Sequence, residues 1–91
     1  MITKEQLEKF VKARNASPHI TNLQFMIDAD SCGIPEQMFE HPQKIKHGYL
    51  WRFKEGVVVE QAGRLMGRRF TLHPAGTEID ADTGEPIKSS R

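Results

Sequence analysis

Tyr49-Leu50-Trp51-Arg52-Phe53-Lys54-Glu55-Gly56-Val57-Val58-Val59-Glu60 decides how this chain folds. It contains the only Trp, the only Tyr and three consecutive valines. β-Branched and aromatic side chains suit a pleated, half-buried surface. The stretch therefore predicts a β-hairpin turning at Glu55-Gly56, where glycine takes positive φ at little cost. Alternation puts Tyr49, Trp51 and Phe53 on one face and Leu50, Arg52 and Lys54 on the other. The first set predicts a core face, the second a cationic face turned to solvent.

C-terminal to the hairpin, Gly63 and Gly67 bracket Arg64-Leu65-Met66 and predict a second turn or bulge. A third strand then runs over Arg68-Arg69-Phe70-Thr71-Leu72, with Arg68, Phe70 and Leu72 on one face and Arg69, Thr71 and His73 on the other. Pro74 stops it. A helix over Glu60 to Met66 is the competing reading, and its flanking glycines weigh against it. From Ala75 the chain is rich in Gly, Asp, Thr, Pro and Ser. Ile79 and Ile87 flank a turn at Asp80 to Glu85, so residues 75–91 form a polar tail, either a short final hairpin or a frayed end.

N-terminal to the hairpin the period changes from two to helical. Thr3 with Gln6 makes a capping-box pattern, and Ile2 with Leu7 a hydrophobic staple. Leu7, Phe10, Val11 and Arg14 then follow helical spacing, predicting a helix over residues 4–14. A second helix starts near Ser17-Pro18 or Thr21, with Leu23, Met26 and Ile27 on one face and Phe25 beside it. Asp28 and Asp30 fall late in it, where the macrodipole disfavours acids. Gly33 suits the position just past its end, and Pro35 blocks continuation. Pro35 to Glu40 predicts one short helical turn with Met38 and Phe39 inward. Gln43 to Gly48 reads as a polar, basic connector.

Ninety-one residues hold one domain, assigned here to residues 1–74, with little core area to spare. The net charge of +1 conceals segregation: residues 41–73 carry seven Lys/Arg against two Asp/Glu, whereas residues 1–40 carry four against six. The single cysteine, Cys32, excludes an internal disulfide and fits a reducing compartment. The opening residues lack the apolar core of a signal peptide, and no apolar run is long enough for a membrane span. The expected location is cytoplasmic, with no membrane partner.

The basic middle supplies the candidate binding residues: Lys44, Lys46, Arg52, Lys54, Arg64, Arg68 and Arg69. Clustered cations can neutralise phosphates, and neighbouring aromatics can stack on single-stranded bases. Strand parity divides these jobs, because Arg52 and Lys54 alternate with Tyr49, Trp51 and Phe53. Other constellations carry less. His19, His41, His47 and His73 lack close metal-ligand spacing, and Cys32 has no second Cys for a zinc knuckle. The Asp80 to Glu85 loop lacks the acidic residue that would complete a calcium loop. Cys32 has no local nucleophile signature, Asp28 and Asp30 diverge at i,i+2, and no Gly-rich phosphate loop occurs. His73, at a strand end, is the histidine expected to titrate abnormally. Met26, Met38 and Met66 with Phe25 and Phe39 suggest an adaptable groove, though core packing explains them more simply.

The sequence thus predicts an α+β fold, with two N-terminal helices packed on one face of a three-stranded antiparallel meander. The expected core is Leu7, Phe10, Val11, Leu23, Met26, Ile27, Phe39, Tyr49, Trp51, Phe53, Val57, Val59, Phe70 and Leu72. The expected function is that of a small non-enzymatic binding or regulatory protein, an inhibitor or adaptor of a protein complex, with no catalytic residues, metal or cofactor. Nucleic-acid binding through a basic sheet face is the alternative. The sheet edges offer a route to a homodimer.

Overall fold

The computed structural model describes residues 2–16, 22–62 and 68–87. The chain is α+β: helices α1 (Lys4–Ala16) and α2 (Asn22–Ser31), a 3-10 turn (Glu36–Phe39), then strands β1 (Gln43–Ile45), β2 (Gly48–Phe53), β3 (Gly56–Ala62) and β4 (Arg68–His73). The strands form an antiparallel meander in the order β1-β2-β3-β4. The sheet has four strands, not three. The added strand is β1, in the segment expected to be a connector. It pairs Gln43 with Leu50 and Ile45 with Gly48 across a two-residue turn, Lys46-His47. His47 adopts a φ of 65° there.

Local signals set the helix ends. The Thr3 amide donates to Gln6 Oε1 at 2.7 Å, and the Gln6 amide donates back to Thr3 Oγ1 at 3.2 Å. This reciprocal box satisfies two backbone donors that a helix start leaves unpaired. Ile2 and Leu7 are both buried in the core beside it. At the end of α2, Gly33 has a φ of 76°. The Ile34 amide reaches back to the Ala29 carbonyl at 2.9 Å, and Gly33 to Asp30 at 3.0 Å. That is the Schellman pattern, and it drops the apolar Ile34 into the core next to Ala29. The expected caps at Ser17 and Thr21 and the Gly63 to Gly67 turn lie outside the described residues.

The β2–β3 turn is Lys54-Glu55, one residue earlier than expected, because Phe53 pairs with Gly56. Trp51 therefore faces Val58. Val58 joins Leu7, Phe10, Phe39, Trp51, Phe53 and Phe70 in the core beneath the helices. Val57 and Val59, expected in that core, point the other way and pack with Ile45, Leu50 and Ile79 in a second cluster. Leu50 is therefore buried rather than turned to solvent. The residue that covers it, Ile79, comes from the C-terminal segment.

That segment is anchored by specific bonds. Ile79 and Pro86 form an antiparallel bridge, and the Lys46 amide donates to the Ala81 carbonyl at 2.8 Å. Gln61 Nε2 donates to the Thr83 carbonyl at 3.1 Å. The sheet is thus covered on one face by the helices and on part of the other by residues 75–87. Residues 60–62 are strand, which excludes a helix beginning at Glu60.

Met26, Ile27 and Tyr49, all expected in the core, are 45%, 50% and 37% exposed, and Met38, expected inward, is 46% exposed. Val11 and Leu72 pack at the margin of the core, and the Leu23 side chain lies outside the described set. Along the free side of β4, Asn15 of α1 takes the place of a neighbouring strand. Its amide donates to the Phe70 carbonyl at 2.9 Å and accepts from the Phe70 amide at 2.7 Å. Both outward backbone groups of Phe70 are thereby closed to another chain.

Candidate protein-docking cleft

Six aromatic rings pack where the helices meet the sheet. Phe10 stacks on Phe39 at 4.9 Å between ring centres, and Phe39 meets Phe25 and Trp51 edge-on at 5.0 and 5.5 Å. The Trp51 indole N–H donates to the Phe39 carbonyl at 3.2 Å, which ties β2 to the 3-10 turn. Phe53 and Phe70 complete the group.

Beside these rings the layers part. An open cleft of about 660 Å³ lies between α2 and the 3-10 turn on one side and the helix-facing side chains of the sheet on the other. Phe25, Phe39, Tyr49 and Trp51 give it aromatic walls, and Met26 forms part of its lip. A smaller groove continues from Met26 past Ile27 to Pro35.

Two ion pairs reach the cleft walls. Arg14 is 1% exposed. Its Nη1 donates to Asp28 Oδ2 at 3.0 Å, and Gln24 donates to the other carboxylate oxygen at 2.9 Å. The guanidinium lies 4.8 Å from the Phe25 ring centre and 5.2 Å from that of Phe70. Its Nε–H is buried with no acceptor among the described residues. Asp28, disfavoured by the helix dipole, is thus held by a cation from α1. Glu60, buried on the helix-facing side of β3, pairs with Arg68. At the cleft rim, Glu36 and Glu40 remain exposed, with no ion-pair partner among the described residues.

The candidate cations do not share one surface. Pairing registers place Arg52 and Arg69 on the face away from the helices, and Lys44 and Arg68 on the helix side. Lys46 sits in the β1–β2 turn and Lys54 in the β2–β3 turn. Lys44, Lys46, Arg68 and Arg69 gather at the Gly48 end of the sheet, whereas Arg52 and Lys54 mark the opposite end. Arg52 also spends a donor on the Thr77 carbonyl at 3.0 Å. Arg64 lies outside the described residues. Arg14, Asp28 and Glu60 were not among the expected site residues. The signals for the first two were an arginine on an apolar stripe and an acid near a helix end.

Cys32 is half-buried after α2. Burial, and next the neighbouring Asp28 charge, push its thiol above the ordinary value, which disfavours the thiolate a nucleophile needs. His73, singled out at its strand end, does have a shifted pKa: burial lowers it. Asp80 accepts from the Asp82 amide at 2.8 Å and so braces its own turn. Among the described residues no three His, Cys, Asp or Glu side chains converge as a metal-binding group, and no helix is long and apolar enough to cross a membrane.

No family model, curated protein or solved structure matches the chain.

Proposed function

We propose that this protein is a non-enzymatic binding module that acts by contact with another protein, as an inhibitor or adaptor of a complex, and that it docks through the aromatic cleft. One observation carries this reading. Large apolar side chains that a 91-residue chain has every reason to bury stand exposed on the elements that wall the cleft, namely Met26, Ile27, Met38 and Tyr49. Contiguous apolar surface beside a concave aromatic site marks a place of contact. Methionine suits it, because its flexible thioether adapts to a partner's shape.

Nucleic-acid binding draws less support. A phosphate backbone favours cations along one continuous track, and here they divide between two faces and two ends of the sheet. The Asn15 amide over β4 also argues against a homodimer built on that edge.

The test is affinity capture from cell lysate with the folded wild-type chain and with a Met26→Ser/Tyr49→Ser variant of unchanged circular dichroism. A stoichiometric protein partner should be recovered with the wild type and lost with the variant. Recovery of no such partner by the folded wild type, or equal recovery by both, would refute the proposal.

A further inference from the structure

The partner's docking segment can be defined further from the charges left over at the cleft. This step rests on the reading of the cleft as a protein-docking site. Inside the cleft the charges cancel in pairs: Arg14 with Asp28, and Arg68 with Glu60. What remains is one-sided. Glu36 and Glu40 at the rim are exposed, with no ion-pair partner among the described residues. Asp30 lines the adjoining groove with Met26 and Ile27 and is likewise exposed. Residues 22–42 contain four acids and no Lys or Arg. The acidic rim therefore runs directly alongside the exposed apolar side chains.

We infer that the docked segment is a basic, apolar-anchored stretch of polypeptide. One apolar side chain enters the cleft against Met26 and Tyr49, and a flanking Lys or Arg faces Glu36 and Glu40. The Arg14 charge does not repel the incoming cation, because Asp28 already neutralises it. Burial of the stem of a Lys or Arg on the aromatic walls adds apolar contact and a cation–π term.

The experiment is selection of a random dodecapeptide library against the full-length chain, read by Trp51 fluorescence. Trp51 is the sole tryptophan and lines the cleft, so it reports occupancy locally. Enriched peptides should pair an aliphatic or aromatic residue with Lys or Arg and should perturb Trp51. Their affinity should fall roughly fivefold in Glu36→Gln/Glu40→Gln, as expected for two rim ion pairs. Their salt dependence should weaken in the same variant. Affinity should fall more than about tenfold in Met26→Ser/Tyr49→Ser. Enriched peptides without basic residues that still depend on Met26 and Tyr49 would overturn the charge inference and leave the docking reading standing. Peptides indifferent to Met26 and Tyr49, or no enrichment at all, would overturn both. Sedimentation of the chain alone gives the remaining arm. A dimer abolished by Met26→Ser/Tyr49→Ser would make the occupant a second copy and refute the inference.

Discussion

Replacing Asp28 by Leu should unfold much of this protein's stability margin, and replacing Arg14 at the same time should restore it. Arg14 is almost wholly buried between α1, α2 and β4, and its guanidinium is held at 3.0 Å by Asp28 Oδ2. Removing the carboxylate leaves an uncompensated cation under Phe25 and Phe70 and removes the Asp28 oxygen to which Gln24 donates. Breaking a buried pair from one side costs about 3–5 kcal/mol. The Asp28 side chain retains 12% exposure, so water eases the penalty and the expected loss is about 3 kcal/mol. A small domain has only about 5–15 kcal/mol in all. Arg14→Met keeps apolar contact with both rings and leaves Asp28 with Gln24 and water, so it should cost less, about 1–2 kcal/mol. Arg14→Met/Asp28→Leu removes both charges and should lie within about 1 kcal/mol of the wild type. Urea unfolding followed by Trp51 fluorescence measures all four proteins, with a constant denaturant slope as the check on two-state behaviour. A double variant that loses the sum of its single losses would show that the pair is not coupled and refute the reasoning.

Three further outcomes follow from particular contacts. A Cβ on Gly48 would lie 1.7 Å from the Glu60 carbonyl oxygen. Gly48→Ala should therefore cost more than about 2 kcal/mol. Gly76→Ala, at φ +82° with open space around it, should cost only about 1 kcal/mol; equal losses in thermal melts would contradict this. Ile79→Ala should cost about 2–4 kcal/mol by emptying the second cluster. It should also speed hydrogen exchange at the Lys46 amide, which is bonded to Ala81; unchanged exchange would show that Ile79 does not hold the segment down. For His73, burial lowers the folded-state pKa below the ordinary 6.5. The unfolded chain then binds the proton more readily, so stability present above the unfolded pKa is lost as pH falls through the folded one. His73→Gln should flatten that acid loss, and an unaltered pH profile would exclude the assignment.

Much of the fold was legible where one residue type has one local job. Thr3 and Gln6 announce the start of α1, Gly33 the end of α2, and the alternation of Arg68, Phe70 and Leu72 sets the face of β4. Legibility failed where the deciding partner is distant. Gln43-Lys44-Ile45 has one apolar residue and becomes a strand only because β2 offers it an edge. Three valines in a row carry no parity of their own. A two-residue turn, at Glu55-Gly56 as much as at Lys54-Glu55, pairs odd positions of β2 with even positions of β3 and so puts Val58, not Val57 and Val59, on the Trp51 face. Ile79 stands alone in polar sequence, and its burial depends on Leu50, Val57 and Val59 beneath it. In α2, Phe25, Met26, Ile27 and Ala29 are apolar on more than one side, and packing alone chose which side to cover. The cationic site was legible as composition but not as a surface, because parity and register distribute it.

Site-specific photo-crosslinking in the protein's own host tests the docking face most directly. A benzophenone side chain at position 26 sits on the cleft lip, and one at position 71 sits exposed on the far side of the sheet. The account predicts a discrete protein adduct from position 26 and none from position 71. An adduct from position 71 with none from position 26 would contradict it.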